Sequence, residues 1–304
     1  MSQTILLAGG TGMFGGHIAR QLLGRPDARL RLLVRSAQND ALKPLLDLGA
    51  EVVEGDLNDS ASLDRATRGI DVIVSAVQGG QDVIVNGQIA LAQAGKLNGV
   101  RRILPSDYAL DLFKTTPGEH MMFDLRAKAD EKIAATGLEH VHILQGAFME
   151  MFGPKMGTID YEARTVTFWG DGTQVIDCTS VESTALMLAH VALDRGIKSG
   201  KFAFAGDRVS ILDAADLVEA QTGRLFERRS LGSEADLRAA MAAARKDPSD
   251  PFKPVMLAYQ LYMLTGQTAL SELRNNYYTD VKLETFAEFA QRALPESTGA
   301  LAVA

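Results

Sequence analysis

Three glycines near the start of the chain have the spacing of a loop that holds phosphate groups. Gly9, Gly12 and Gly15 follow a short apolar run and stand where a stretch with helical periodicity begins. Glycine permits a tight turn in which backbone N–H groups approach a pyrophosphate, and the positive end of the following helix adds attraction. The pattern therefore predicts a dinucleotide-binding turn rather than an ordinary structural one. The other candidate cofactor contacts in this loop are Thr11, Met13 and Phe14.

A basic residue stands where an acidic one usually follows such a turn. The second apolar run ends at Arg35 and Ser36, about twenty residues after the glycines, where an NAD site carries a carboxylate for the ribose hydroxyls. A guanidinium suits a 2′-phosphate instead, because it is always charged and donates two parallel hydrogen bonds. The sequence thus favours NADP(H) over NAD(H).

Further candidate cofactor contacts stand at the ends of later apolar runs. Asp56 ends the run EVVEGD, and it is either an acceptor for the adenine amino group or a plain helix cap. The remaining candidates at such positions are Leu57, Ala76, Val77, Gln78, Ser106 and Gln145.

Apolar runs of strand length alternate with longer amphipathic stretches through the first half of the chain. We expect buried strands at 4–10, 29–35, 51–56, 71–77, 101–107 and 140–146. Strands that alternate with helices in this way predict a Rossmann-type, doubly wound parallel sheet in an α/β fold. We expect an NADP(H)-binding domain over 1–152 and a smaller C-terminal α+β substrate lobe over 153–304, of which 183–206 packs back on the Rossmann sheet.

The composition limits the classes of protein open to this chain. Its 304 residues carry a net charge of -7, which argues against broad binding to nucleic acid or anionic membranes. The single cysteine, Cys178, leaves no internal disulfide and no cysteine-rich zinc site. The five histidines form no ligand pattern, so no metal is expected. Without a leader sequence or a long apolar span, we expect a cytoplasmic protein.

Taken together, these motifs resemble those of the NmrA-like and isoflavone-reductase-like branch of the atypical short-chain dehydrogenases. The segments that carry the resemblance follow in family order over nearly the whole chain: GGTGMFGGHIA, LLVRS, EGDLND, VIVSAV, RRILPSDY, GLEHVHILQGAFME, WGDGTQ and YYTDVKLETFAEF. The resemblance implies an NADP(H)-binding domain, a substrate lobe and reductase activity on phenylpropanoid-type aromatic compounds. The family also includes members that bind the dinucleotide as a regulatory signal and catalyse no known reaction.

The usual catalytic groups of such enzymes are missing here. Short-chain dehydrogenases typically use a tyrosine and a lysine four residues later, and isoflavone-reductase-like members keep only the lysine. The resemblance places Arg126 at the lysine position and Met122 at the tyrosine position. Arginine does not deprotonate near neutral pH, so Arg126 is either a clamp for ribose hydroxyls and a polarising group or a solvated charge. Lys128 lies some 200° further around the helix and is not expected to substitute.

Two other side chains are candidates for proton donation. His120 precedes the same helix, and histidine is a side chain that can donate a proton near neutral pH; the alternative is a solvated loop residue. Tyr108 follows the fifth strand, at the usual catalytic edge of an open sheet; its alternative is simple packing. Candidate pocket-lining aromatic residues, each otherwise ordinary core, are Phe148, Trp169, Tyr259 and Tyr262.

The sequence supports two main hypotheses. The first is an NADP(H)-dependent reductase of a small aromatic or conjugated carbonyl-type substrate. In this hypothesis Arg126 positions the ribose or polarises the acceptor. The proton is supplied by water, by His120 or by Tyr108. The alternative is an NADP(H)-binding, redox-sensing regulatory protein without turnover, which contacts a protein partner. A third possibility is a scaffold whose site is a relic.

Overall fold

The computed structural model describes residues 2–153 and 158–294, which form two compact units. The first unit contains the chain up to Tyr108 together with Met122–Ile143 and Thr184–Phe202. The second unit contains Ala109–Met121, Leu144–Ser183 and the chain from Ala203 onward.

The first unit is built on a seven-stranded sheet with the order β11-β6-β5-β4-β1-β2-β3. Every pairing among β1 to β6 is parallel, which confirms the predicted doubly wound sheet. Strand order reverses between β1 and β4, and such a switch point is where open α/β sheets bind ligands. The strands are β1 (Gln3–Ala8), β2 (Ala28–Val34), β3 (Glu51–Glu54), β4 (Val72–Ser75), β5 (Arg102–Leu104), β6 (Glu139–Leu144) and β11 (Gly200–Ala203).

The six predicted strands are all present, although one is not buried on both faces. Strand β3 is at the edge of the sheet, and Glu51 and Glu54 are exposed there. Helices follow the strands as the periodicity predicts, with a π-helix at Asp82–Gly87 leading into α4 and a 3₁₀ turn at Asp40–Leu42 leading into α2. The helices are α1 (Met13–Leu23), α2 (Lys43–Asp47), α3 (Ser60–Thr67), α4 (Gln88–Leu97), α5 (Met121–Ala135) and α6 (Val181–Leu193).

In its described residues, the second unit combines two small sheets with the α-helices α7 to α10 and two short 3₁₀ helices. One sheet has the order β12-β10-β7 and the other β13-β9-β8. The strands are β7 (Ala147–Phe148), β8 (Ile159–Asp160), β9 (Thr165–Phe168), β10 (Ile176–Thr179), β12 (Asp207–Val209) and β13 (Glu227–Ser230). The helices are α7 (Ile211–Thr222), α8 (Glu234–Ala244), α9 (Lys253–Thr265) and α10 (Phe286–Ala293).

Local sequence signals account for several helix ends in this unit. Ser210, Ser233 and Thr285 each accept the backbone N–H of the residue three positions later, whose carboxylate accepts in return; this is a capping box. Gly223 ends α7 with φ +66°, a left-handed conformation that glycine adopts without steric cost. Among residues 2–153 and 158–294, no helix is both long and apolar enough to cross a membrane.

Candidate functional site

The glycine turn after β1 depends on two of its glycines for steric reasons. Gly9 has φ +85°, and a Cβ atom there would lie 2.4 Å from the carbonyl oxygen of Ala76. At Gly15 a Cβ atom would lie 2.0 Å from the carbonyl oxygen of Gly9. Gly12 caps α1, and its N–H donates to Gly9 O at 3.0 Å. The turn therefore brings the positive end of α1 directly to the ends of β1 and β4, as an anion site requires.

Arg35 has the setting expected of a phosphate ligand. It directly follows β2 and is exposed, and its guanidinium makes no hydrogen bond or ion pair with any residue in the described parts of the chain. A nearby carboxylate, that of Glu54, instead accepts the backbone N–H of Ala37 at 2.6 Å. Next to Arg35, the Ser36 hydroxyl accepts the N–H of Gln38 at 3.2 Å. The Arg35 side chain is thus available to an external anion.

Asp56 is not the cap of α3, which removes one of its two predicted roles. Asp59 takes that place, and its carboxylate accepts the N–H of Ala61 at 3.0 Å. The Asp56 carboxylate accepts the N–H of Asn58 at 2.8 Å, and its own N–H donates to Ser62 Oγ at 3.0 Å. The side chain is exposed, and Leu57 beside it is half-buried. An adenine contact for Asp56 stays a prediction.

Hydrogen bonds join the ends of β4 and β5. Ser106 Oγ donates to the carbonyl oxygen of Val77 at 2.8 Å, and the Tyr108 hydroxyl donates to that of Ser75, also at 2.8 Å. The ring of Phe14 meets the Tyr108 ring edge-on, with centroids 4.7 Å apart. Predicted site residues from the glycine loop, from β4 and from β5 are therefore neighbours. In the same stretch Ala76 is half-buried and Gln78 is exposed.

Arg126 lies on α5 against this group. Its Nε donates to the carbonyl oxygen of Ser106 at 2.8 Å, and a terminal nitrogen donates to that of Met122 at 3.1 Å. The side chain is half-buried, whereas Lys128 is exposed. The helix geometry used in the sequence argument therefore separates the two cations as expected.

The hydroxyl of Tyr108 is poorly suited to act as an acid. Burial, and secondly the negative charge of Asp107, raise the pKa of Tyr108 well above its usual value of 10.0. The one hydroxyl proton is already donated to Ser75 O. A substrate oxygen would therefore compete with a main-chain carbonyl for this proton.

His120, in the second unit, is buried, so the alternative of a solvated loop residue is wrong. Only 3% of it is exposed, and its ring centroid lies 6.2 Å from that of Tyr259 and 6.4 Å from that of Tyr262. The Tyr262 hydroxyl in turn accepts the N–H of Thr116 at 3.1 Å. Two tyrosine rings of α9 therefore lie beside the buried histidine, and the polar sequence of the loop gave no sign of this.

Gln145 has an unused acceptor inside the second unit. The residue is fully buried, and its Nε2 donates to the carbonyl oxygen of Gly146 at 3.0 Å. Its Oε1 has no hydrogen-bond partner among the described residues. Leaving a buried acceptor without a donor costs about 1–3 kcal/mol. A donor supplied by a ligand would remove that cost.

The other predicted pocket residues have mixed surroundings. Phe148 is half-buried. Trp169 Nε1 donates to Gln260 Oε1 at 2.9 Å, and the indole lines a cavity of about 30 Å³ together with Phe168, Met263 and Leu264. A cavity of that size holds about one water molecule, so it is too small for an aromatic ligand.

One group of ionisable residues was missed in the sequence. Asp107 after β5, Asp130 on α5 and His142 on β6 are buried with their polar atoms within 4.8 Å of one another. The sequence suggested only an ordinary strand residue at His142. His142 stands between the apolar residues Val141 and Ile143, and the preceding predicted strand 101–107 ends in Asp107. A histidine at such a position needs a polar partner once it is buried, and this is the signal that could have indicated the group.

Comparison with known proteins gives a consistent result. A profile of the NmrA-like family matches residues 1–246. The chain is 27% identical over 318 residues to the isoflavone reductase homolog IRL of Zea mays, with 95% of this chain and 98% of the relative covered. It is 22% identical over 303 residues to the probable pinoresinol-lariciresinol reductase 3 of Arabidopsis thaliana, with 95% and 97% covered.

A solved structure shares the fold. The structure of AtPrR2 with NADP+ and (+)pinoresinol has a TM-score of 0.83 at 23% identity, with 96% of this chain and 99% of the other covered. The parallel sheet and the glycine turn define a Rossmann-type α/β protein. The chain belongs to the NmrA-like family.

Proposed function

We propose that this chain is an NADP(H)-dependent reductase of a small aromatic or conjugated carbonyl-type substrate. The observation that carries the proposal is the glycine turn at Gly9–Gly15 followed by Arg35. The exposed guanidinium of Arg35 makes no hydrogen bond or ion pair with the described residues. A cation at that point recognises the one group that distinguishes NADP(H) from NAD(H), the 2′-phosphate.

The proposed cofactor contacts follow from where each residue lies. The backbone of the glycine turn and the start of α1 hold the pyrophosphate, and Arg35 with Ser36 holds the 2′-phosphate. Asp56 and Leu57 border the adenine. The remaining proposed contacts are Ala76, Val77, Gln78, Ser106, Arg126 and Gln145.

The bound cofactor supplies a hydride, and the protein must orient it and provide a proton. Arg126 is proposed to clamp ribose hydroxyls or polarise the acceptor, because its guanidinium lies against Ser106 O after β5 and stays charged at neutral pH. Water, His120 and Tyr108 are the candidate proton sources. The raised pKa of Tyr108 and its bond to Ser75 O favour the first two.

The names of the relatives support reduction over a purely regulatory role. The two plant proteins matched over almost their whole length are named as a reductase and as a reductase homolog. We therefore propose a phenylpropanoid-like aromatic substrate class. A cytoplasmic location and a protein partner stay predictions.

The test is a turnover screen with a binding measurement beside it. NADPH and NADH oxidation would be followed against aromatic enones, quinones, aldehydes and phenylpropanoid ethers, and NADP(H) binding by calorimetry. We expect saturable oxidation with at least one class and preference for NADPH. Binding with background oxidation throughout would favour the regulatory alternative, and absence of binding would favour a relic site.

A further inference from the structure

Three ionisable side chains meet inside the first unit, one from each of three elements. Asp107 follows β5, Asp130 lies on α5 and His142 lies on β6. His142 Nδ1 is 2.7 Å from Asp107 Oδ2 and 3.8 Å from Asp130 Oδ2. Their side chains are 6%, 0% and 5% exposed for His142, Asp107 and Asp130, respectively. Water therefore does not screen the charges of this group, called here the Asp–Asp–His cluster.

The cluster contains more acceptors than donors if both carboxyl groups are ionised. Asp107 Oδ1 and both oxygens of Asp130 then have no hydrogen-bond partner among the described residues. Two buried carboxylates side by side repel each other, so one of them retains a proton. That proton is also the missing donor, since a protonated Asp130 donates to Asp107.

The surrounding charges place the proton on Asp130. Burial, followed by the negative charge of Asp107, raises the pKa of Asp130 to about 9, while Arg126 one turn earlier on α5 opposes this rise. Two further titratable groups lie beside the cluster. One is His140 on β6, whose ring centroid is 5.4 Å from that of His142, and the other is Tyr108, whose pKa the negative charge of Asp107 helps to raise.

The same three side chains could in principle bind a metal ion, but their spacing favours a proton. Ligand atoms about 2.0–2.1 Å from a tetrahedral zinc lie roughly 3.3 Å apart. The 2.7 Å separation of His142 Nδ1 and Asp107 Oδ2 is instead that of a hydrogen bond.

The cluster fixes a segment that carries proposed cofactor residues. Asp107 stands between Ser106 and Tyr108 in the sequence. The Ser106 hydroxyl donates to the carbonyl oxygen of Val77, and the Tyr108 hydroxyl donates to that of Ser75. A bond from Asp107 to β6 and another to α5 therefore tie both of these contacts to the core of the unit.

We propose that Asp107, Asp130 and His142 form a buried proton-sharing cluster that positions the Ser106–Tyr108 segment. Asp107 and Asp130 act as positioning residues and not as groups that react with the substrate. The consequence for catalysis rests on the proposed function, whereas the cluster itself does not.

Stability against pH tests the shared proton without any nucleotide. The folded protein holds a proton on Asp130 that the unfolded chain releases near its ordinary pKa of 3.8. Stability therefore falls as pH rises between that value and about 9, and is level with respect to this group above and below. Asp130→Asn has no such proton, and its amide can still donate to Asp107.

We expect the Tm of the wild type to fall by about 5 °C or more, relative to that of D130N, between pH 6 and pH 9. Glu131→Gln makes the corresponding acid-to-amide change at an exposed carboxylate next along α5, and its pH slope should follow that of the wild type. Infrared spectra of ¹³C-aspartate-labelled protein at pH 7 should show one carboxylic acid band that D130N lacks. Equal pH slopes for wild type and D130N, or absence of the band, would overturn the shared proton.

Hydrogen exchange tests the positioning, again without nucleotide. Amides of 106–108 and 75–78 should exchange at least tenfold faster in Asp107→Ala, and in wild type above pH 9 after correction for intrinsic exchange, but not in D130N. Unchanged exchange in D107A would overturn the positioning role. A Tm increase on adding Zn²⁺ to wild type but not to D130N would overturn the cluster in favour of a metal site. If the pH, infrared and hydrogen-exchange results are as expected while NADPH neither binds nor is oxidised, the proposed function is wrong and the cluster stands.

Discussion

Tyr108 donates its hydroxyl proton to the carbonyl oxygen of Ser75 at 2.8 Å, which links the segment after β5 to the last residue of β4. These strands are neighbours in the sheet, and their carboxyl ends reach the switch point beside β1. The position is the usual one for a catalytic group in this fold. The hydrogen bond nevertheless assigns the phenol to holding the main chain.

Replacement of this phenol should therefore affect stability more than chemistry. Tyr108→Phe keeps the edge-on contact with Phe14 but leaves Ser75 O without its donor, which costs about 1–3 kcal/mol. We expect kcat to stay within about tenfold of the wild type, because a lost general acid typically costs about 10²–10⁴. A fall in that larger range, with an unchanged KM for NADPH, would make Tyr108 the proton donor. Tyr161→Phe serves as a control for loss of a phenol in the second unit.

Charge reversal at the end of β2 should change cofactor preference. Arg35→Glu removes a charge-assisted contact worth about 1.5–3 kcal/mol and adds repulsion, so we expect NADPH affinity to fall about ten- to a hundredfold or more. NADH, which has no 2′-phosphate, should be little affected. Arg29→Glu makes the same change in net charge near the other end of β2, at an exposed position, and should leave the preference intact. An R35E protein that still prefers NADPH would contradict the proposed phosphate contact.

The glycine turn should be sensitive to a single methyl group. In Gly15→Ala the new Cβ would lie 2.0 Å from Gly9 O, and such overpacking typically costs about 1–3 kcal/mol. Distortion of the turn should also weaken NADPH binding, which calorimetry would measure beside thermal unfolding. Gly16→Ala is the matched control, since its nearest atom is a flexible Arg20 nitrogen at 3.5 Å. Equal binding by the two variants would argue against a tight pyrophosphate turn.

Arg126 and Lys128 form a matched pair of variants, because only Arg126 is proposed to have a functional role. Arg126→Ala loses the contact with Ser106 O and the charge, and we expect kcat/KM for NADPH-dependent reduction to fall about ten- to a hundredfold. Arg126→Lys restores the residue type that the family uses and should recover part of the loss. Lys128→Ala should match the wild type because that side chain is exposed. Impaired activity in K128A with unchanged activity in R126A would contradict the proposed role of Arg126, because it would require α5 to be rotated about its axis so that Lys128 faces the site.

A buried arginine should dominate the stability of the first unit. Arg102 is fully buried and donates to Glu139 at 3.1 Å and to the carbonyl oxygens of Val191 at 3.1 Å, Asp194 at 2.6 Å and Ile197. Arg102→Met would leave these acceptors without their donor. We therefore expect the free energy of unfolding, measured with urea, to fall by about 3–5 kcal/mol.

Its neighbour provides the control. Arg101 is partly exposed and also pairs with Glu139, at 2.9 Å, and exposed pairs contribute at most about 1 kcal/mol. Arg101→Met should therefore cost much less than R102M. Similar losses in both variants would mean that the carbonyl contacts of Arg102 contribute little.

The outcome for individual residues shows where prediction from sequence succeeds. The glycine turn at Gly9–Gly15 lies between a strand and a helix as predicted, because its spacing involves residues only three positions apart. The burial of His120 and the absence of a cap at Asp56 were not predicted. The burial of His120 involves Tyr259 and Tyr262, which are more than 130 positions away in the sequence. The N-cap of α3 is Asp59, and the hydrophobic periodicity does not distinguish it from Asp56, three residues earlier.

The amino-acid sequence by itself determined the alternation of strands and helices, the phosphate-type turn and the cation that follows it, since hydrophobic period and glycine spacing are local properties. The tertiary structure alone decided which polar groups share a low-dielectric interior. Asp107 and His142 are 35 positions apart, and Arg102 and Ile197 are 95 apart. Such pairs form only when the crossovers bring distant strand ends and loops together, and burial then sets their protonation and strength.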